Sequence, residues 1–230
     1  MDDLDLKREF EKRGPWMTQF IIQGQAFGGQ YDPSDDPRLR WFQQKFPVAE
    51  TILELGSLEG GHSFPLARLA GVKKIVAIEG RKANLKRAQF IQQVFRNQKI
   101  KFIQANLEQF SLTDLGRFDA AFCVGLLYHL PKPWKLIEQI AKVSKGLFLW
   151  THYAASNKAN KKRLHYPGLL FREWRFFYES RSGLSPLSFW PTLDGLKQML
   201  DDHGFNQTEI IQDEPDHEHG PAVTLVSRQP

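Results

Sequence analysis

The chain has 230 residues, 41% of them hydrophobic and 25% charged, with a net charge of +5 and a single cysteine. That length supports one well-buried domain and is too short for two ordinary catalytic ones, and the composition excludes a disordered chain or a disulfide scaffold. No apolar run nears the ~18 residues of a membrane span, and the opening Met1-Asp2-Asp3-Leu4-Asp5 is acidic where a signal peptide is basic, so a cytoplasmic location without a membrane partner is expected.

Leu6 and Phe10 lie four apart among charges, which predicts a short amphipathic helix over 2–13, ended by Gly14-Pro15. Trp16, Phe20, Ile21 and Ile22 follow, a stretch suited to an N-terminal arm packed on the core or to a lid over a pocket. Asp32-Pro33-Ser34-Asp35-Asp36-Pro37 is a turn cluster, and 38–46 a second short helix. From residue 51 a strict alternation sets in. Strands are predicted at 51–55, 74–78, 100–104, 118–124 and 147–150, with helices near 61–69, at 81–97, and from Trp134 to a stop at Gly146. Cys123, inside the fourth strand, reads as a small buried filler.

Residues 151–191 break the pattern and are rich in Lys, Arg and aromatics. A long insertion at the carboxyl edge of a parallel sheet is placed to shape a substrate pocket. Thr192 then suits the N-cap of a helix carrying Leu193, Leu196, Met199 and Leu200 and closed by Gly204. Residues 206–212 and 222–227 read as strands with no helix between them, hence an antiparallel pair.

Apolar strands alternating with helices imply right-handed βαβ units and a sheet covered on both faces. The expected fold is a single-domain, Rossmann-like α/β structure. It has seven strands, mostly parallel with an antiparallel last strand, and helices on both faces. Within it, 1–47 is the arm or lid, 48–150 the cofactor-binding core, 151–191 the substrate cap, and 192–230 the closing helix and hairpin.

The turn after the first strand, Gly56-Ser57-Leu58-Glu59-Gly60, puts glycines where a backbone must bend sharply against a ligand. Glu79 ends the second strand about 20 residues on, where a carboxylate can accept both hydroxyls of a ribose. The spacing departs from G-x-G-x-x-G: Leu58 takes the second glycine's place and Glu59 would repel a phosphate. A cofactor with no phosphate, only a nucleoside and a cationic sulfonium, suits such a turn better than a nicotinamide dinucleotide does.

The run Ile-Leu-Glu-Leu-Gly-Ser-Leu-Glu-Gly-Gly at 52–61, Val-Ala-Ile-Glu-Gly-Arg at 76–81 and Gly-Leu-Leu-Tyr-His-Leu-Pro-Lys-Pro at 125–133 together resemble class I S-adenosylmethionine-dependent methyltransferases. The likeness is strong over 48–150. It is greatest to the branch with a strand-two Glu-Gly-Arg and a strand-four Leu-Tyr-His-Leu. The resemblance implies S-adenosyl-L-methionine as cofactor, with Glu54, Gly56, Ser57 and Gly60 around its methionine part and Glu79 and Gly80 at the ribose. It also implies Asn106 and Leu107 beside the adenine, Asn106 standing where the family commonly has Asp, and Gly125 and Leu126 near the transferred methyl. Leu58 stands in place of the family's frequent middle glycine.

Methyl transfer to a hydroxyl wants a base of near-neutral pKa. His129 and His152 follow strands that end at this site, and histidine suits the task. His152, at the head of the insertion, is the first choice; His129 belongs to a turn that is also a structural signature. Glu214, Asp216, His217, Glu218 and His219 form a ligand-capable cluster, but one lying in the expected hairpin turn, so no metal is expected. The basic, aromatic stretch 158–178, with Lys158, Lys161, Lys162, Arg163, Trp174, Phe176, Phe177 and Tyr178, suits an amphipathic cap helix over a small pocket or, alternatively, RNA phosphates and stacked bases. The expected activity is O-methylation of a sugar or other small hydroxylated metabolite. The alternatives are methylation of tRNA or another RNA, and a non-catalytic cofactor-binding role. Oligomeric state is not legible.

Overall fold

The computed structural model describes residues 3–173 and 181–230. Helix α1 (Asp3–Arg13) leads through a cis Gly14-Pro15 bond into a hairpin of β1 (Gln19–Ile22) and β2 (Gln25–Gly28). Helix α2 (Pro37–Lys45) begins at Pro37, with the Asp36 side chain accepting from the Arg38 N–H as its N-cap. The alternating region follows as β3 (Thr51–Leu55), α3 (Ser63–Arg68), β4 (Lys74–Glu79), α4 (Lys82–Phe95), β5 (Ile100–Gln104), β6 (Ala120–Val124), α5 (Pro133–Val143) and β7 (Gly146–His152). A cap of β8 (Lys161–Arg163), β9 (Tyr166–Arg172) and β10 (Leu187–Pro191) comes next, then α6 (Leu193–Asp202), β11 (Gln207–Glu214) and β12 (Ala222–Arg228).

The main sheet has the order β11-β12-β7-β6-β3-β4-β5. Its four pairings from β7 to β5 are parallel, whereas β12 runs antiparallel to both β7 and β11. The chain leaves β3 toward β4 and β5, then returns to β6 on the opposite side of β3. That reversal opens a crevice at the carboxyl end of β3, where open α/β sheets take their ligands.

Two-residue periodicity divides the strands between two cores. Leu53, Val76, Ala121, Leu147 and Val223 pack against Leu136, Ile137 and Ile140 of α5 and Leu196, Met199 and Leu200 of α6. Ile52, Ala77, Phe122 and Phe148 face the other way, onto Leu6, Phe10, Phe42, Phe64 and Ile91 of the first four helices. Helices therefore cover both faces. Cys123 is fully buried and its thiol is pushed up to about 12 by that burial, which leaves it an inert filler.

The N-terminal segment is a packed arm. Phe10, Phe20 and Ile22 are buried in the second core, and the fully buried Glu59 accepts from the Met17 and Thr18 backbone N–H groups while pairing with Arg87 at 3.6 Å. Glu59 therefore does not act as the phosphate-repelling charge inferred from the sequence, because its carboxylate points away from the crevice and into these bonds.

The described part of 158–178 is antiparallel sheet, which corrects the expected cap helix. Pro167 and Gly168 stand where a helix interior tolerates neither, and a Cβ on Gly168 would lie 2.4 Å from the Trp190 carbonyl oxygen on the paired strand. Tyr166 and Phe189 carry this small sheet into the first core. Lys161, Lys162 and Arg163 lie exposed on its edge strand, where charge discourages further strand pairing. Trp174, Phe176, Phe177 and Tyr178 lie outside the described residues. The cluster from Glu214 to His219 occupies the β11–β12 turn, and among the described residues no group of three potential ligands could hold a metal ion. No described helix is long and apolar enough to cross a membrane.

Candidate active site

A cavity of about 390 Å³ opens over the carboxyl ends of β3, β4 and β6. Its floor is the glycine turn. Gly56 and Ser57 both donate their N–H to the Ile78 carbonyl, at 2.9 and 3.0 Å, which ties the turn to β4. Gly56 has φ +78° and its Cα faces the Leu126 side chain so closely that a Cβ would sit 3.1 Å from it. Leu58 adopts φ +50°, a left-handed conformation that costs a β-carbon residue about 1–2 kcal/mol, and its N–H is spent on Glu79 Oε2 at 2.9 Å. The turn thus keeps the shape of a glycine position without the glycine.

Ser57, Glu79, Gly80, Asn106, Leu107, Gly125 and Leu126 all line the cavity. Glu54 and Gly60 do not. Glu54 faces the helix side of β3, accepts from Ser63 Oγ at 2.5 Å and is raised to about 7, by burial first and by the charge of Glu79. Gly60 serves packing, since a Cβ there would lie 2.8 Å from the Phe64 ring. Both support the turn from beneath.

Glu79 is held by its own neighbourhood. Oε1 accepts from the Arg81 N–H at 2.7 Å and from Asn84 Nδ2, and burial raises its pKa against those bonds. Oε1 thus accepts two of these hydrogen bonds and Oε2 only that of Leu58, so the acceptor capacity left for a ligand lies on Oε2. Asn106 Oδ1 accepts from the Glu108 N–H at 3.0 Å, an Asx turn that shapes the loop after β5. Arg81 reaches over to the Ser182 and Gly183 carbonyls, at 3.2 and 2.8 Å, and Ser185 Oγ donates to Glu108. These bonds draw residues 181–184 across the cavity mouth.

The two candidate histidines are placed differently. His129 lines the cavity, with Nδ1 2.9 Å from Glu173 Oε1. His152 does not line it. Its Nδ1 lies 2.9 Å from the Gly220 carbonyl, its ring stacks on Trp190 at 5.1 Å, and Tyr128, Trp150 and His217 close the box around it. Burial depresses its pKa.

Several cavity residues were not legible in the sequence. Tyr31, Arg38 and His62 line one side and converge on the buried Asp36: Tyr31 Oη donates to Oδ2 at 2.6 Å, Arg38 Nε to Oδ1 at 2.8 Å, and His62 Nε2 lies 2.9 Å from Oδ2. Burial opposes ionisation of Asp36, but the His62 and Arg38 bonds outweigh it and hold the carboxyl far below its usual range. Arg38 also lies over the Trp150 ring at 5.0 Å. Asp36 is 26 positions from His62, and nothing in either local sequence announces the other.

A family model for a methyltransferase domain matches residues 53–148. The crystal structure of the N-terminal domain of EvdMO1, determined in the presence of SAH and D-fucose, is 33% identical over 100% of this chain and 98% of that one, with a TM-score of 0.89. The chain belongs to the class I S-adenosylmethionine-dependent methyltransferases. Against the longer EvdMO1 crystal structure it is 31% identical with a TM-score of 0.79, and it spans 48% of that chain. Magnesium protoporphyrin IX methyltransferase from Synechocystis PCC 6803, with SAM bound, shares the fold at 17% identity and a TM-score of 0.58, over 85% of this chain and 77% of that one. No curated protein sequence matches the chain.

The methyltransferase uses S-adenosylmethionine, and its cavity fits that group. Ser57 Oγ is buried on the cavity wall with no hydrogen-bond partner among the described residues, a donor left for a ligand.

Proposed function

We propose that this methyltransferase methylates a hydroxyl oxygen of a sugar or similarly hydroxylated small molecule. The full-length likeness to a domain crystallised with SAH and D-fucose carries the choice of acceptor class. The cavity supports it: Tyr128 and Trp150 offer ring faces and edges, and Arg38, Tyr31 and His62 offer polar groups, a mixture suited to a compact polyol.

In this reading Ser57 and the turn from Gly56 to Leu58 hold the methionine end of the cofactor, Glu79 and Gly80 the ribose, Asn106 and Leu107 the adenine edge, and Gly125 and Leu126 the floor near the reacting methyl. Bound, the cofactor supplies a methyl on a cationic sulfonium, which departs as a neutral thioether. The chain's own contribution is alignment and proton removal. His129 takes the acceptor's hydroxyl proton on Nε2, the ring nitrogen that makes no protein hydrogen bond among the described residues. His152, boxed by aromatic rings and bonded to the β11–β12 turn, positions Tyr128 and Trp150 rather than the proton.

The test is a methyl-transfer screen over hexoses and deoxyhexoses, D-fucose among them, read by product mass and repeated with His129→Asn. Turnover on a sugar that falls about 100-fold or more in the variant, with SAH affinity unchanged by calorimetry, is the expected result. Unchanged turnover in His129→Asn removes the base. RNA binding that weakens steeply with salt, together with methylated RNA and no methylated sugar, overturns the acceptor class.

A further inference from the structure

The segment after β7 does more than roof the cavity. We propose that through Glu173, at the end of β9, it fixes the tautomer and basicity of His129 as that residue's positioning carboxylate. This rests on the reading of His129 as the proton acceptor.

The geometry leaves the carboxylate little freedom. Glu173 is 6% exposed. Its Oε1 accepts from Ser188 Oγ at 3.0 Å, across the β9–β10 pair, and its own N–H donates to the Pro186 carbonyl at 2.9 Å. Burial opposes its charge, but the bonds from His129, Ser188 and the Gly183 N–H outweigh that and hold Glu173 below the usual range. An ionised carboxylate can only accept. Nδ1 of His129, 2.9 Å away, must then carry the proton, and the lone pair falls to Nε2 of a ring that belongs to the cavity lining.

Two further neighbours lie against this residue. A Cβ on Gly183 would lie 2.7 Å from the His129 carbonyl oxygen, so residues 181–184 pass directly against the His129 backbone. The Tyr128 ring lies 4.2 Å from the imidazole by centroids. The ionisable groups around His129 are Glu173, one residue past β9, Tyr128 from the same turn, Arg181 from residues 181–184 and Arg38 from α2; the Tyr128 phenol stays neutral because burial and then Glu173 raise its pKa. When Nε2 takes a proton, Glu173 is the one anion in contact with the imidazolium among the described residues. A carboxylate so placed stabilises the protonated base as the acceptor O–H bond breaks and the new O–C bond forms.

Nitrogen-15 NMR of the cofactor-free protein tests this without knowledge of the acceptor, the His129 signals being those lost in His129→Asn. Wild type should show Nδ1 protonated and Nε2 bare above the midpoint. Glu173→Gln should mix the tautomers and lower the His129 midpoint by about one unit or more, and Glu173→Asp should restore part of the shift. Ser188→Ala, which removes only a restraint on the carboxylate, should move both readouts the same way by less. An unchanged tautomer and midpoint in both Glu173→Gln and Ser188→Ala overturns the positioning role. A shifted tautomer with sugar turnover unaltered keeps that role and removes His129 from proton transfer, so the two failures are distinct.

Discussion

The wall of the cavity built by the parallel sheet and the wall built by the arm and cap hold their polar groups in different ways. On the sheet wall, Gly56, Ser57, Leu58 and Glu79 come from two adjacent strands and are bound by backbone N–H groups: Leu58 and Arg81 to Glu79, Gly56 and Ser57 to Ile78. On the facing wall, Asp36 gathers Tyr31, Arg38 and His62, and Glu173 gathers His129 and Ser188, by side-chain bonds, of which those from Asp36 to His62 and from Glu173 to His129 span 26 and 44 positions. Backbone bonds fix a shape that many sequences can keep, as Leu58 shows by holding φ +50° where a glycine is easier. Side-chain networks fix chemistry instead. Removing one member leaves the others buried and unpaired, so they are costly to alter.

Three substitutions test that contrast. The largest effect is expected where the walls meet. Glu59→Ala leaves the Met17 and Thr18 N–H groups without their acceptor and takes from Arg87 its carboxylate partner, at a cost of about 3 kcal/mol in stability, read as a lower urea midpoint. A midpoint unchanged within error would mean that the arm holds to the turn by its aromatic packing alone. Glu79→Ala strikes the sheet wall itself and is expected to weaken SAH binding by about 30-fold, or about 2 kcal/mol, by calorimetry. The Tyr31, Asp36, Arg38 and His62 network should survive it.

Glu54 gives the smallest and most specific signal. Its pKa is raised to about 7 in the folded protein by burial and Glu79, so its carboxyl contributes fully to stability below the ordinary carboxylate range and loses that contribution as pH rises toward 7. Glu54→Gln carries no such penalty. Its stability relative to wild type should rise by about 2 kcal/mol between pH 5 and pH 8, and a difference that stays flat with pH would show that Glu54 titrates as an exposed carboxylate does.

Where a residue's role depended on local pattern, the sequence was readable. The strands at 51–55 and 100–104 coincide with the observed β3 and β5, because a buried parallel strand is a short apolar run bounded by turn residues. Thr192 caps α6 as expected, accepting from the Gly195 N–H at 3.1 Å. The insertion was misread as a helix because alternating basic and apolar residues suit either period over a short span, and Pro167 and Gly168 decide the matter. Glu59 was misread because charge in a glycine turn looks like a ligand-facing feature when its partner, the arm at Met17, is 42 positions away.

The amino-acid sequence by itself determined the methyl-donor half of this protein. The glycine turn, the acidic end of the second strand and the Tyr-His turn lie within one run of βαβ units, where local hydrogen bonding and strand order dictate their meeting. Only the tertiary structure decided the acceptor side: that His129 rather than His152 faces the cavity, that Glu173 stands behind it, and that Asp36 binds three residues into one network. The Asp36–His62 and His129–Glu173 pairings join segments 26 and 44 positions apart, and the free energy that brings them together comes from apolar burial elsewhere in the chain. Their own short sequences carry no trace of it.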